Sequence, residues 1–280
     1  MILRPFGPKN AKVPTIGQGT WQMADTGKAR EKAKLAIRRG IELGMVHIDT
    51  AEMYTGAEEL LGEAIEGLPR EQLFIISKVL PSNASFEGTI KSCESSLRRL
   101  RTDYLDCYLL HWRGSLPLKE TMRALEELVK TGKIRSLGVS NFDVDDLKEA
   151  QGHLEKERIT CDQVLYNLGE RGMERHLIPF CKKENISLVG YTPFGKIPPP
   201  SSGQGKTLQD IAAKHKATVR QIILAFLTKD ESLFAIPKAS VTSHTEENAA
   251  ACKIALDQDD MLAIDKSFPA PVEDVPLSVL

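Results

Sequence analysis

Four ionisable side chains stand where apolar runs end or a helical pattern begins. Asp49 closes VHID, Lys78 closes FIISK and His111 closes CYLLH, while Tyr54 follows Asp49 by five residues at the start of a helical pattern. The three runs read as short buried strands, and loops beside strand ends are where a rigid scaffold usually keeps its chemistry. Singly, each residue has a plain structural explanation. An aspartate there often caps a helix, a lysine often snorkels, and a lone histidine is often a satisfied core residue. Their coincidence favours chemistry, and the chemistry that suits them is proton delivery. A tyrosine has a pKa near 10 and is a poor acid at neutral pH. A nearby lysine favours the phenolate and is expected to lower that pKa by ~1–3 units. An aspartate would keep the lysine charged, and a neutral histidine could hydrogen-bond a substrate oxygen. Such a site donates a proton to an oxygen as negative charge develops on it, which is what a carbonyl receiving a hydride needs.

The elements that must position these groups alternate along the chain. Strand-like stretches fall near 15–19, 45–48, 73–77, 104–110, 134–139, 161–166, 187–190 and 233–236. Helical patterns fill 28–43, 57–66, 87–100, 118–130, 144–151, 174–184 and 208–227, with a last pair at 246–254 and 259–266. Asp143 is placed to cap the helix after it, and Thr131-Gly132 reads as a helix stop. Eight strand–helix units in one α/β chain of 280 residues favour a (β/α)8 TIM barrel, with a short N-terminal hairpin at 2–6 and 12–15 and C-terminal helices. A doubly wound sheet should show a glycine-rich fingerprint, but IGQGT (16–20) is a bare GxG with no helix directly behind it. No linker divides the chain, so residues 1–280 read as one domain. KIPPPSSGQGK (196–206) reads as a loop after the seventh barrel strand.

Charge and composition exclude other classes. Lys+Arg 37 against Asp+Glu 38 gives a net charge of −1, with a pI near 6.6. There is no basic footprint for nucleic acid and no polybasic anchor for a membrane. The five cysteines are scattered and never form CxxC, so reduced thiols in a cytoplasm are expected rather than a disulfide framework or zinc cluster. The N-terminus lacks the apolar core of a signal peptide, and the longest helical apolar run, 222–227, is too short to span a bilayer. A cytoplasmic monomer is the expectation.

The ordered motifs resemble those of the aldo-keto reductase family over essentially the whole chain. They are GQGTW (17–21), HIDTAEMY (47–54), SKV (77–79), LLHW (109–112), GVSNF (138–142), QVLYN (163–167), GYTPFG (190–195) and IPKASVTSHTEEN (236–248). The resemblance implies a tetrad of Asp49, Tyr54, Lys78 and His111 with Tyr54 the proton donor. It implies that Ser140, Asn141 and Gln163 hold the carboxamide of a nicotinamide cofactor while Tyr191 stacks on its ring. Gly19 and Thr20 would lie at the reactive end, and Phe194 and Gly195 along the pyrophosphate. Lys238, with Ala239, Ser240 and His244 after it, would face the 2′-phosphate, and Glu247 and Asn248 the adenine. The cofactor implied is NADPH, with NADH weaker, and no metal.

Many NADPH-preferring members carry an arginine six residues after the lysine of IPK, where this chain has His244. Histidine is mostly neutral above pH 6.5, so a modest NADPH preference that strengthens toward pH 6 is expected. The short segments WRGSLP (112–117) and SFPAPVEDVPLSVL (267–280) suggest a shallow, open pocket edged by Trp21, Met53, Leu80, Trp112 and Phe142. Such a pocket suits small aldehydes, including aryl aldehydes and 2-oxoaldehydes such as methylglyoxal. Rival readings are a metal site on His47, Asp49, Glu52 and His111, a Schiff base on Lys78, and a slow or non-catalytic NADPH-binding sensor subunit. His47, two residues before Asp49 on the same side of its strand, reads instead as a packed core histidine.

Overall fold

The computed structural model describes residues 1–23 and 26–280. Two antiparallel strands, β1 (Leu3–Phe6) and β2 (Ala11–Pro14), form the expected hairpin. Eight parallel strands follow: β3 (Gln18–Gly19), β4 (His47–Asp49), β5 (Phe74–Val79), β6 (Cys107–Leu110), β7 (Leu137–Ser140), β8 (Ile159–Leu165), β9 (Ser187–Tyr191) and β10 (Leu233–Ala235). They pair in chain order, and the sheet closes on itself through Gly17 N–H to Ala235 O at 2.8 Å and Ala235 N–H to Thr15 O at 2.9 Å. The result is the (β/α)8 barrel expected from the alternation of patterns.

Period-two alternation explains how this barrel makes a site. Inward positions are apolar or neutral low in the strands and polar two residues higher: Ile76 then Lys78, Leu109 then His111, Gly138 then Ser140, Cys161 then Gln163. Phe6, from the hairpin, plugs the lower end in edge-to-face contact with His47, Phe74 and Phe234. His47 is thus the packed core histidine expected of it. Outward positions such as Ile48, Ile75, Tyr108 and Val164 join the main core beneath the helices.

The helices are α1 (Gly27–Glu42), α2 (Ala57–Ala64), α3 (Phe86–Leu100), α4 (Leu118–Lys130), α5 (Val144–Gly152), α6 (Leu177–Glu184), α7 (Gly203–Lys214), α8 (Val219–Leu227), α9 (Thr242–Ala250) and α10 (Gln258–Ser267). The Asp143 side chain caps α5, accepting from the amides of Asp145 and Asp146, and Gly132 takes φ 75° after α4.

Three sequence expectations need correction. The pattern at 208–227 is two helices, because Lys216 turns left-handed at φ 50° and Thr218 opens α8 with a capping box to Gln221. The expected loop 196–206 is helical from Gly203, where Ser202 caps α7 by accepting from the Gly205 amide. The pattern at 174–184 starts with a separate 3-10 turn, Gly172–Glu174, before α6. Among the described residues, no helix is long and apolar enough to cross a membrane, and all five cysteines are free thiols.

Close packing inside the barrel can be tested at Gly138. A Cβ there would stand 2.6 Å from Cys161 O and 2.7 Å from Leu109 Cδ2. Gly138→Ala should therefore destabilise the protein by about 1–3 kcal/mol, read as a lower urea midpoint. An unchanged midpoint would show that the interior has room to spare.

Candidate active site

Three neighbouring strands bring the candidate tetrad together. Asp49 ends β4 and Lys78 lies near the end of β5, both facing inward and almost fully buried. The Lys78 Nζ donates to Asp49 Oδ1 at 2.7 Å and to Thr50 O at 2.8 Å, and reaches the Tyr54 hydroxyl at 3.4 Å. His111, one residue past β6, sets its ring edge-on to Tyr54 with centroids 5.7 Å apart. Tyr54 rides on a loop tied to β5 and to the segment that follows it. The Glu52 amide donates to Lys78 O at 3.3 Å, and the Glu52 carboxylate accepts from Leu80 N–H at 2.6 Å and Asn83 Nδ2 at 3.0 Å.

A second cluster adjoins the first. Gln163 Nε2 donates to the other Asp49 oxygen, Oδ2, at 2.7 Å, so one carboxylate joins the two clusters. The Gln163 carbonyl accepts from Ser140 Oγ at 2.8 Å and from the Asn141 amide at 2.9 Å. Asn141 takes a left-handed φ of 62°, which asparagine tolerates better than most residues. Its Nδ2 donates to His111 O at 3.2 Å, and its Oδ1 accepts from the Tyr191 hydroxyl at 2.9 Å.

The electrostatics follow from burial. Burial pushes the Asp49 carboxyl up from its usual value, opposed by Lys78 and Gln163. Burial works against charge on Lys78, but Asp49 and Tyr54 overcome it and its pKa rises. His111 is pushed down to about 3 by burial and by Lys78, so its ring is neutral at neutral pH. Tyr54 departs from expectation. Burial, reinforced by Asp49, outweighs the pull of Lys78, and the phenol pKa is raised rather than lowered. The tyrosine is thus held protonated, with an ammonium beside it to stabilise the phenolate once the proton has gone.

Tyr54, His111 and Asp49 open onto a cavity of about 680 Å³ that runs past Ser140, Asn141, Gln163 and Tyr191 to Lys238. Gly19, Phe194 and Gly195 also line it, as do Trp21, Met53 and Trp112. Several expected residues do not. Thr20 is buried beneath, its hydroxyl donating to Asp49 O at 3.0 Å. Phe142 is fully buried under the helices, because the left-handed turn at Asn141 sends the chain outward. Leu80 offers the cavity no surface; its amide is held by Glu52. Ala239, Ser240, His244, Glu247 and Asn248 also lie outside the lining, with His244 exposed on α9 and Glu247 accepting from Thr218 Oγ1 at 2.6 Å.

The C-terminal segment adds to the cavity wall. Asp274 pairs with Arg175 and His176, Ser278 donates to Glu170 at 2.7 Å, and Val279 and Leu280 then form part of the cavity wall. Sequence reasoning missed this return, and missed Arg113, which lines the cavity while paired with Asp146 and Glu149 of α5. Among the described residues no group of three His, Cys, Asp or Glu side chains could hold a metal. Glu52 holds backbone and amide groups instead, and His47 is sealed in the core.

Comparison with known proteins agrees with this architecture. The family model described as the aldo/keto reductase family matches residues 15–197 and 202–268. Methylglyoxal reductase YeaE of Escherichia coli K12 is 42% identical over 266 residues, covering 94% of this chain and 93% of that protein. Glyoxal reductase of Bacillus subtilis is 36% identical, covering 91% and 88%. The crystal structure of an aldo/keto reductase from Klebsiella pneumoniae, in complex with NADP and acetate, superposes with a TM-score of 0.93 at 40% identity, covering 100% and 99% of the two chains.

The buried imidazoles make stability depend on pH. Burial holds His47 down to about 4 and His111 down to about 3, whereas in the unfolded chain each takes up a proton near pH 6.5. The unfolded state therefore binds more protons below that value, and stability falls as pH drops from about 6.5 toward 4. The expected loss is about 1.4 kcal/mol per group per pH unit. Buried Asp49, whose pKa is raised, works in the opposite direction, so the readout is the difference: the urea midpoint of His111→Asn relative to the wild type should rise as pH falls through this window. A difference independent of pH would contradict the neutral, buried assignment of His111.

Proposed function

The chain belongs to the aldo/keto reductase family, and from that premise we propose that it reduces small aldehydes and ketones with NADPH, 2-oxoaldehydes and aryl aldehydes among them. One observation carries the reading. A buried Lys78–Asp49 pair stands behind the Tyr54 hydroxyl, on a cavity that continues past the Asn141 and Gln163 amides to Lys238. The cavity suits a dinucleotide. It offers the exposed Lys238 ammonium, which reaches Ser240 Oγ at 3.4 Å, at one end, amide groups and a half-exposed Tyr191 ring at its centre, and a backbone approach at Gly19, where a Cβ would meet Ile236 O at 2.7 Å. NADPH, when bound, supplies the hydride.

The protein's own part is to bind, orient and protonate. Ser140, Asn141 and Gln163 would hold the carboxamide, and Tyr191 would lie against the ring, its hydroxyl fixed by Asn141 at 2.9 Å. The substrate oxygen would sit between the Tyr54 hydroxyl and the neutral His111 ring, which orients it without donating charge. Tyr54 gives its proton as negative charge builds on that oxygen, and Lys78 stabilises the phenolate left behind. Trp21, Met53 and Trp112 are partly exposed and apolar, a wall for small uncharged carbonyls. The names of the relatives, methylglyoxal reductase and glyoxal reductase, support 2-oxoaldehydes within that class.

Lys238 supports NADPH over NADH, and His244, exposed on α9, is proposed to add a contact to the same phosphate.

Two measurements test the reading. Tyr54→Phe should bind NADPH as the wild type does yet lose at least ~100-fold in kcat with methylglyoxal or a benzaldehyde. Retention of turnover would remove Tyr54 as the donor. If the wild type binds NADPH but reduces nothing in the panel, the sensor reading takes precedence. His244→Arg should tighten NADPH by roughly fivefold, about 1 kcal/mol, and leave NADH unchanged. Equal effects on both cofactors would place the 2′-phosphate elsewhere.

A further inference from the structure

Two consecutive residues of β5 point to opposite sides of the barrel wall. Lys78 faces the site, and Ser77 faces the helices, both fully buried. The Ser77 hydroxyl donates to Glu58 Oε1 of α2 at 2.5 Å, and the other oxygen of that carboxylate, Oε2, accepts from Arg99 Nε of α3 at 2.6 Å. Glu58 and Glu59 both stand in the first turn of α2, where an acid favours a helix start. That preference asks for no burial, and Glu59 is exposed. Glu58 instead is 1% exposed, a place that a carboxylate occupies only with its partners supplied. One turn further along, α2 is pressed onto α3: a Cβ on Gly62 would stand 2.6 Å from Arg99 O. The carboxylate is therefore fixed to a strand on one side and to a packed helix on the other.

The chain between these points carries Tyr54. From Asp49 to Glu58 it passes over the rim of the barrel, its start tied to Lys78 inside and its end tied to Ser77 outside. Glu52 holds the run midway, at Leu80 and Asn83. Past Tyr54 only Thr55 and Gly56 precede α2, and Tyr54 O accepts from the Ala57 amide at 3.0 Å, so the tyrosine backbone is joined directly to the helix. A shift of α2 along β5 is thus a shift of Tyr54 relative to Lys78. The Tyr54 hydroxyl already stands 3.4 Å from the Lys78 Nζ, past the usual hydrogen-bond range of about 2.7–3.2 Å, so little further separation is tolerable. We propose that Glu58, with Ser77, is a positioning residue of the reaction: the pair clamps α2 to the strand that carries Lys78 and so sets the distance between the Tyr54 hydroxyl and the ammonium. Neither residue lines the cavity, and both act through Tyr54. The inference rests on the reading that Tyr54 is the proton donor.

Ser77→Ala opens the clamp gently, because Glu58 keeps Arg99 as its partner. Ser136→Ala is the control. It removes a hydroxyl of the same kind, which donates to Asp106 O at 2.6 Å at the opposite end of the barrel. The experiment compares both variants with the wild type by urea midpoint, by NADPH dissociation constant, and by single-turnover oxidation of bound NADPH with methylglyoxal or a benzaldehyde in H2O and in D2O. Both substitutions should lower the midpoint by a similar small step, and NADPH affinity should stay within about twofold of the wild type in both. Only in Ser77→Ala should the single-turnover rate fall, by ~3–10-fold, and with a larger solvent isotope effect, because a misplaced phenol slows the proton while the hydride donor stays in place. A wild-type rate and isotope effect in Ser77→Ala would overturn the proposal. So would an equal fall in Ser136→Ala, or a fall with an unchanged isotope effect, since either marks a general loosening of the fold. A wild type that binds NADPH and reduces neither aldehyde would overturn the reading of Tyr54 as donor, and the role of the clamp with it.

Discussion

A lysine ammonium with no solvent exposure survives only with a partner, and at the mouth of this barrel the partner is Asp49 at 2.7 Å. Removing one member of such a buried pair typically costs 3–5 kcal/mol, so the ends of β4 and β5 must arrive in register. The parallel pairing of Asp49 with Ile76 puts Lys78 two residues higher on the neighbouring strand, in reach of the carboxylate. The other Asp49 oxygen is taken by Gln163 from β8, across the barrel. Three strands distant in sequence are thereby tied to one carboxylate, and Tyr54 stands beside the same ammonium. The electrostatics of the site, the position of the proposed donor and the cluster proposed to hold the carboxamide share that one anchor.

The raised Tyr54 pKa changes how the anchor works. A tyrosine already half ionised would be a weaker donor. Here burial and Asp49 keep the phenol whole, and in the proposed reaction Lys78 would stabilise the phenolate as it forms. That is charge stabilisation at the moment of transfer rather than in the resting state. The surrounding structure serves stiffness. Glu52 fastens the Tyr54 loop to the end of β5, Asn141 accepts a left-handed backbone, and Thr192 takes φ 50°, unusual for a β-branched residue, directly behind Tyr191.

The sequence was most legible where local pattern and global fold agree. Apolar runs that end on Asp49, Lys78 and His111 marked strands and site together, because inward positions in a barrel change from packed core to open mouth over two residues. The other strands are read from their apolar runs alone, and each observed strand overlaps its expected range. The helix break at Lys216–Thr218 was also written in the sequence, as the T-x-x-Q capping box of Thr218 and Gln221, but apolar residues on both sides masked it. Other features depend on the third dimension. Phe142 looks like a pocket residue until the turn at Asn141 directs it outward. The return of Val279 and Leu280 to the cavity depends on the pairing of Asp274 with Arg175 and His176, which no periodicity signals. The sign of the Tyr54 shift is set by depth of burial, and depth of burial follows only from the packed fold.

The most direct test of the account is the single-turnover rate of NADPH oxidation by an aldehyde in Asp49→Asn beside the wild type. Asparagine keeps the shape and one acceptor oxygen for Lys78, but it turns an NH2 toward Gln163 and leaves Lys78 without its counter-charge, which favours the neutral amine. If the ion pair organises the site, the rate should fall by at least ~10-fold in a protein that remains folded. A rate within about twofold of the wild type would contradict the account and leave Tyr54 to be activated by some other group.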